Sequence, residues 1–134
     1  MGAISLVLLV LLSACNRTPA PVEAVQDPRL AAINTVQNYL AGEHAAIWAY
    51  GRAAALLPRN ELPGAISIMK AHESERDEIS SMLRADGIEP IGALVAYDAG
   101  QPLTSAPEAR EFLIGVEERL AALALSVESI PGKP

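Results

Sequence analysis

Apolar residues recur at helical spacing over three stretches of this chain, and proline or glycine closes each one. In the first, Leu30, Ile33, Val36, Leu40, Ile47 and Ala54 follow one another at threes, fours and sevens. That is the period of an amphipathic helix; a half-buried strand would alternate every second residue. Asp27-Pro28 is a suitable start. The Asp side chain can accept from the first free amides, and a proline at the first helical position gives up no hydrogen bond that would have formed. Pro58 ends the stretch. The second carries Ile66, Met69, Ile79, Met82 and Leu83 and stops at Asp86-Gly87, where glycine tolerates the left-handed cap. The third opens on the capping box Ser105-Ala106-Pro107-Glu108, continues through Leu113, Val116, Leu120, Leu123, Val127 and Ile130, and closes at Pro131-Gly132. No run alternates with period two for long enough to make a strand, and no internal repeat is visible. The expected fold is all-α.

Lengths then restrict the topology. Helices of about 25 to 30 residues are roughly 40 Å long. A few residues around Pro58-Arg59-Asn60 join the first two, which makes them an antiparallel hairpin. Ile88 to Thr104 is different: its 17 residues include Pro90, Gly92, Gly100 and Pro102. Extended, such a segment reaches about 55 Å. That is enough to run the length of the bundle and start the third helix parallel to the second, as the single long crossover of some bundles does.

The N-terminus bears on location. Residues 1–14 are uncharged and rich in Leu and Val, and Leu12-Ser13-Ala14-Cys15 places small residues just before a cysteine. This is the pattern of a lipoprotein signal, in which the cysteine is acylated, with palmitate among the expected chains, and becomes the first mature residue. A transmembrane anchor is the competing reading, but an apolar helix needs about 20 residues to cross a bilayer, and a short h-region with a small-residue cleavage site suits export. No Lys or Arg precedes the apolar run, so a start upstream of Met1 is one explanation. Cys15 is the sole cysteine, which rules out an intrachain disulfide and is accounted for by lipidation. The expected organisation is a signal peptide over 1–14, a flexible tether over 15–26 with Pro19 and Pro21, and a helical domain over 27–134. The expected location is the extracytoplasmic face of the cell membrane, held by lipid on Cys15. The formal charge of −6, with only 10 Lys and Arg, argues against nucleic acid as a partner and gives no polybasic support to membrane contact.

Three ionisable residues share the apolar faces of their helices. Glu43 lies three after Leu40 and four before Ile47; His72 lies three after Met69 and seven before Ile79; Glu117 lies four after Leu113 and three before Leu120. Burying a carboxylate requires a partner, and Arg76, one turn from His72, is a candidate. Glu43, His72, Arg76 and Glu117 are therefore expected to form a buried polar network. Trp48 and Tyr50 are expected in the core or a groove, with the Tyr50 hydroxyl needing a polar partner. Glu75, Asp77 and Glu78 read as a solvated face. There is no Gly-rich phosphate loop and no nucleophile motif beside either histidine, which speaks against a serine or cysteine hydrolase.

Glu43-His44-Ala45-Ala46-Ile47-Trp48-Ala49-Tyr50-Gly51 resembles the "EHAA-aromatic-AYG" signature of a ferritin-like domain family of unknown function, common in lipoproteins and secreted proteins of high-GC Gram-positive bacteria. Ala71-His72-Glu73-Ser74-Glu75-Arg76-Asp77 is similar to that family's second motif, and Pro90 to Pro102, with Ala96-Tyr97, to its crossover. The resemblance spans about Leu30 to Ile130. It implies a ferritin-like antiparallel bundle with three long helices present and the family's usual fourth missing, since four residues follow Ile130. It also raises a di-iron or manganese site with Glu43, His72 and Glu117 as ligands, helped by Glu73 or His44. Such sites take a Glu from each of two helices and a Glu-x-x-His pair from each of the others. This chain has two histidines and no Glu-x-x-His. The favoured expectation is a lipid-anchored, non-enzymatic helical module for binding or interaction, with no assigned cofactor. A homo-oligomer or a protein partner would supply the fourth helix. The alternative is a metal-binding protein of the iron or manganese type.

Overall fold

A computed structural model describes residues 27–131. The proposed signal over 1–14 and tether over 15–26, Cys15 included, lie outside the described residues. Among the described residues there are three long helices and no strand: α1 Pro28–Ala54, α2 Leu62–Ala85 and α3 Ala106–Glu128.

The caps explain where the helices begin and end. The Asp27 side chain accepts from Arg29 N at 2.9 Å, and Pro28 takes the first helical position. Ser105 caps α3 through a complete capping box with Glu108, whose carboxylate also accepts from the Thr104 backbone and hydroxyl at 2.8 Å each. These bonds hold the Glu108 carboxyl below the ordinary carboxylate range. At the end of α2, Gly87 takes a φ of 73°, and the amides of Gly87 and Ile88 return to the carbonyls of Arg84 and Leu83. This left-handed turn requires glycine and releases the chain sideways.

α1 is the centre of the molecule. α2 and α3 both pack against it, and they do not pack against each other. Glu43 meets His72 while Gln37 meets Glu89, so α2 runs antiparallel to α1. Trp48 meets Phe112 while Gly42 meets Leu120, so α3 is antiparallel to α1 as well and parallel to α2. Arg110 at the start of α3 confirms that alignment, with a two-pronged ion pair to Glu61 at the start of α2, at 2.7 and 2.9 Å. The segment between α2 and α3 therefore does cross the length of the bundle. It is strapped to α1 on the way. The Gln37 amide donates to Glu89 O and accepts from Ile91 N, His44 Nε2 donates to Ile91 O at 3.1 Å, and Tyr97 packs on Trp48.

The core differs from the apolar stripes in one respect. On α1 it is built largely of small residues, Ala46, Ala49 and Ala53 beside Leu40 and Tyr50, while Leu30 is exposed and Ile47 only half-buried. Ile66 and Met82 of α2, expected on the buried face, are likewise exposed. Small residues let α3 approach α1 closely. A Cβ at Gly42 would stand 2.8 Å from Leu120 Cδ1 and 2.9 Å from Leu123 Cδ1.

Two glycines of α1 thus make a controlled pair. Gly51→Ala, with nothing within 4 Å of the new methyl, should raise stability by about 0.5–1 kcal/mol through helix propensity alone. Gly42→Val should lower it by about 1–3 kcal/mol because Leu120 and Leu123 must be displaced. Urea denaturation of the two variants measures both signs.

Candidate functional site

All three helices contribute to a polar cluster at mid-height. Glu43 of α1 is 1% exposed. Its Oε2 lies 2.9 Å from His72 Nδ1 of α2, and His72 Nε2 lies 3.1 Å from Glu117 Oε1 of α3. The Tyr50 hydroxyl donates to the same Glu117 oxygen at 2.7 Å, and the Tyr50 ring lies against His72, centroids 5.5 Å apart. On the other side of Glu43, the Tyr39 hydroxyl donates to Glu75 Oε1 at 3.5 Å. Among the described residues no buried side-chain nitrogen or oxygen is left without a hydrogen-bond partner.

The geometry constrains the protons. Both His72 nitrogens face carboxylate oxygens, and a neutral imidazole carries a proton on only one of them. Making both contacts therefore takes one proton beyond that of the neutral ring, held by the ring or by a carboxyl. Burial raises the Glu43 carboxyl above its ordinary range, opposed by the hydrogen bonds to His72 and Tyr39. Burial, followed by the Glu117 carboxylate that its hydroxyl already serves, raises the Tyr50 phenol; burial and Glu43 do the same for Tyr39. The cluster holds a proton between two helices.

Glu43, His72 and Glu117 are thus brought together, whereas Arg76 is not one of their partners. Its guanidinium turns to the neighbouring Asp77, with Nε and a terminal nitrogen each 2.8 Å from Asp77 Oδ1. The reason lies in the register: four residues past His72, Arg76 is rotated about 40° round the helix, toward α2's outer flank and the crossover rather than α3. Tyr39, Tyr50 and Glu75 complete the cluster instead. Glu75 was expected on a solvated face and is half-buried. Its spacing of three from His72, and Tyr39's of four before Glu43, are the signals that mark them as neighbours of the network. Trp48 sits apart, packed between Tyr97 and Phe112.

These residues do not fit an iron or manganese centre. Metal ligands converge on one point, whereas here each carboxylate converges on a different nitrogen of one imidazole ring. His44 is committed to the crossover, and Glu73 lies a further 100° round α2 from His72. Among the described residues no group of three or more His, Cys, Asp or Glu is arranged to hold a metal ion.

The cluster lies at the bottom of a groove. Because α2 and α3 stand apart, a cavity of about 310 Å³ opens between them over Tyr39, Glu43, His72, Glu75 and Glu117. Farther along the same face of α1, a second cavity of about 270 Å³ is lined by Ile33, Val36, Met82, Leu83, Val127 and Ile130. Ile68 and Met82 share a stripe of α2 with Glu75 at sevens; Ile114 and Leu125 share one of α3 with Ala121. All four apolar residues are exposed, Ile114 at 59% and Leu125 at 65%. No described helix is long and apolar enough to cross a membrane.

Residues 35–129 match the family described as "Domain of unknown function (DUF4439)". The chain is also similar to a solved structure of a conserved hypothetical protein, rv2844, from Mycobacterium tuberculosis, with a TM-score of 0.76 and 26% identity over 80% of this chain and 75% of that one. No curated protein matches the chain.

If the cluster holds the bundle together as described, Glu43→Ala should cost about 2–4 kcal/mol, from a stranded His72 nitrogen and a cavity. Glu43→Gln keeps a hydrogen-bond partner for Nδ1, its amide able to donate or accept, and should cost less than half as much. A carboxyl raised in the folded state contributes stability that is fully present below its unfolded pKa of about 4.3 and lost as pH rises through the folded value. The wild type should therefore gain on Glu43→Gln as pH falls from about 7 toward about 4, read by urea denaturation across that range.

Proposed function

For a chain that belongs to the DUF4439 family, we propose a non-enzymatic binding role: a lipid-anchored helical module on the extracytoplasmic face of the cell membrane that takes a partner in the groove between α2 and α3. The observation that carries this reading is the groove itself. Two long helices whose backbones stay apart, with Ile68, Met82, Ile114 and Leu125 exposed on them, leave an apolar surface of the kind that marks an interaction site. Hairpin, long crossover and a third helix parallel to the second follow the order of a ferritin-like bundle, and the groove is its fourth position. The polar cluster supports a structural role, because its members bond to one another. Location rests on residues 1–15: the apolar run, the small residues and Cys15 as the lipidation site.

Two measurements test the two halves. Cys15→Ser should abolish incorporation of an alkyne-tagged fatty acid and move the protein from the detergent phase to the aqueous phase; unchanged labelling overturns the anchor. The segment from Asp27 onward should enhance the fluorescence of an apolar dye, and Ile114→Lys with Leu125→Lys should remove most of that signal without lowering thermal stability. A monomer that binds no dye overturns the groove.

A further inference from the structure

The groove is not uniformly apolar, and its pattern says what should fill it. At mid-height its floor carries Glu43, Glu75 and Glu117 against a single imidazole. Whichever of Glu43 and His72 holds the shared proton, three carboxyls outnumber one base and the floor keeps a net negative charge. Glu75 is held only by a 3.5 Å contact from Tyr39. The Glu117 side chain is 42% exposed and uses one oxygen for both His72 and Tyr50. No lysine or arginine lines this part of the groove, since Arg76 is paired to Asp77 on another face. About two turns away, around Val36, Met82 and Val127, the lining is mostly apolar, with Arg29 and Asp86 as its charged members.

Resting on the groove reading above, we propose that the occupant is an amphipathic helix of a partner, running antiparallel to α2 and α3, with an apolar residue seated among Val36, Met82 and Val127 and a lysine or arginine about seven residues later between Glu75 and Glu117. The spacing follows from the seven residues between Glu75 and Met82, about 10 Å along a helix axis. Antiparallel packing is the usual relation of neighbours in such bundles. A cation there meets carboxylates in a partly desolvated site, where charge-assisted hydrogen bonds are strong. A second copy paired groove to groove about an axis at mid-height would set the Glu75 and Glu117 of each copy against those of the other, and like charges across an interface are strongly disfavoured.

The test appends a designed helix of about 24 residues to the full chain after Pro134 through a short Gly/Ser linker. Its apolar face carries Leu at the anchor and Arg, Leu or Glu seven residues on. Tethering raises the effective concentration, so weak docking is still seen. Thermal unfolding by circular dichroism should show the Arg helix raising Tm by about 5 °C or more over the untethered chain, the Leu helix by less, and the Glu helix by nothing. In Glu75→Lys the order of the Arg and Glu helices should reverse, and in Glu75→Gln the two should draw together. If all three helices stabilise equally in the wild type, the groove reading stands and the basic residue is overturned. If none does, and light scattering finds the untethered chain monomeric, the groove reading falls with it. If the untethered chain is a dimer that Leu125→Lys dissociates, the occupant is a second copy and the proposal is overturned.

Discussion

His72, held between Glu43 and Glu117, is the contact on which this bundle turns. α2 and α3 have no packing of their own with each other; apart from the Glu61–Arg110 pair at one end, the imidazole is what ties them across the gap. An isolated carboxylate at the burial of Glu43 would be costly, and a buried polar group is tolerated only when bonded. The ring supplies that bond on one side and passes a second to Glu117 on the other, so three helices are indexed to one another by a single residue from each. Such a network specifies register more surely than it adds stability, because an apolar replacement of similar shape would avoid the desolvation altogether.

Register matters here because the rest of the core is permissive. The seam between α1 and α3 is built on Ala46, Ala49, Ala53 and Ala109 with Gly42 facing two leucines. Small residues allow close approach but supply few knobs to resist sliding. Glu43 to His72 and Tyr50 to Glu117 are the directional contacts that fix how far each helix is advanced. The crossover adds a third set, since the Gln37 amide and the Trp48–Tyr97 contact bind it along α1's outer face. Among the described residues, α2, α3 and the crossover are all laid on α1, and a long face stays open between α2 and α3.

Much of this was legible in the residues. Helical period, the Asp27 and Ser105 starts and the Gly87 stop are local properties of a few neighbouring side chains, and each behaves as its local chemistry requires. The long proline- and glycine-containing segment implied a crossover through its reach alone. Glu43, His72 and Glu117 were marked as inward-facing by their spacing from leucine, isoleucine and methionine. Arg76 was misjudged because charge complementarity made it attractive, while 40° of helical rotation was enough to send it to Asp77. Tyr39 and Glu75 were passed over because a tyrosine and one acid in an acidic run look like an ordinary rim and an ordinary solvated face.

Sequence alone determined the helices, their boundaries, their antiparallel opening hairpin and the inward turn of Glu43 and His72, because these follow from the rise and pitch of one helix and from hydrogen bonds spanning a few residues. Tertiary structure decided which inward faces meet. It made α1 the shared partner, chose tyrosines over an arginine to complete the polar cluster, and held α2 and α3 apart so that acids intended for the core became the floor of a groove. Those outcomes depend on the relative rotation and advance of whole helices, set jointly by contacts 29 to 67 residues apart in the chain, and no local pattern contains them.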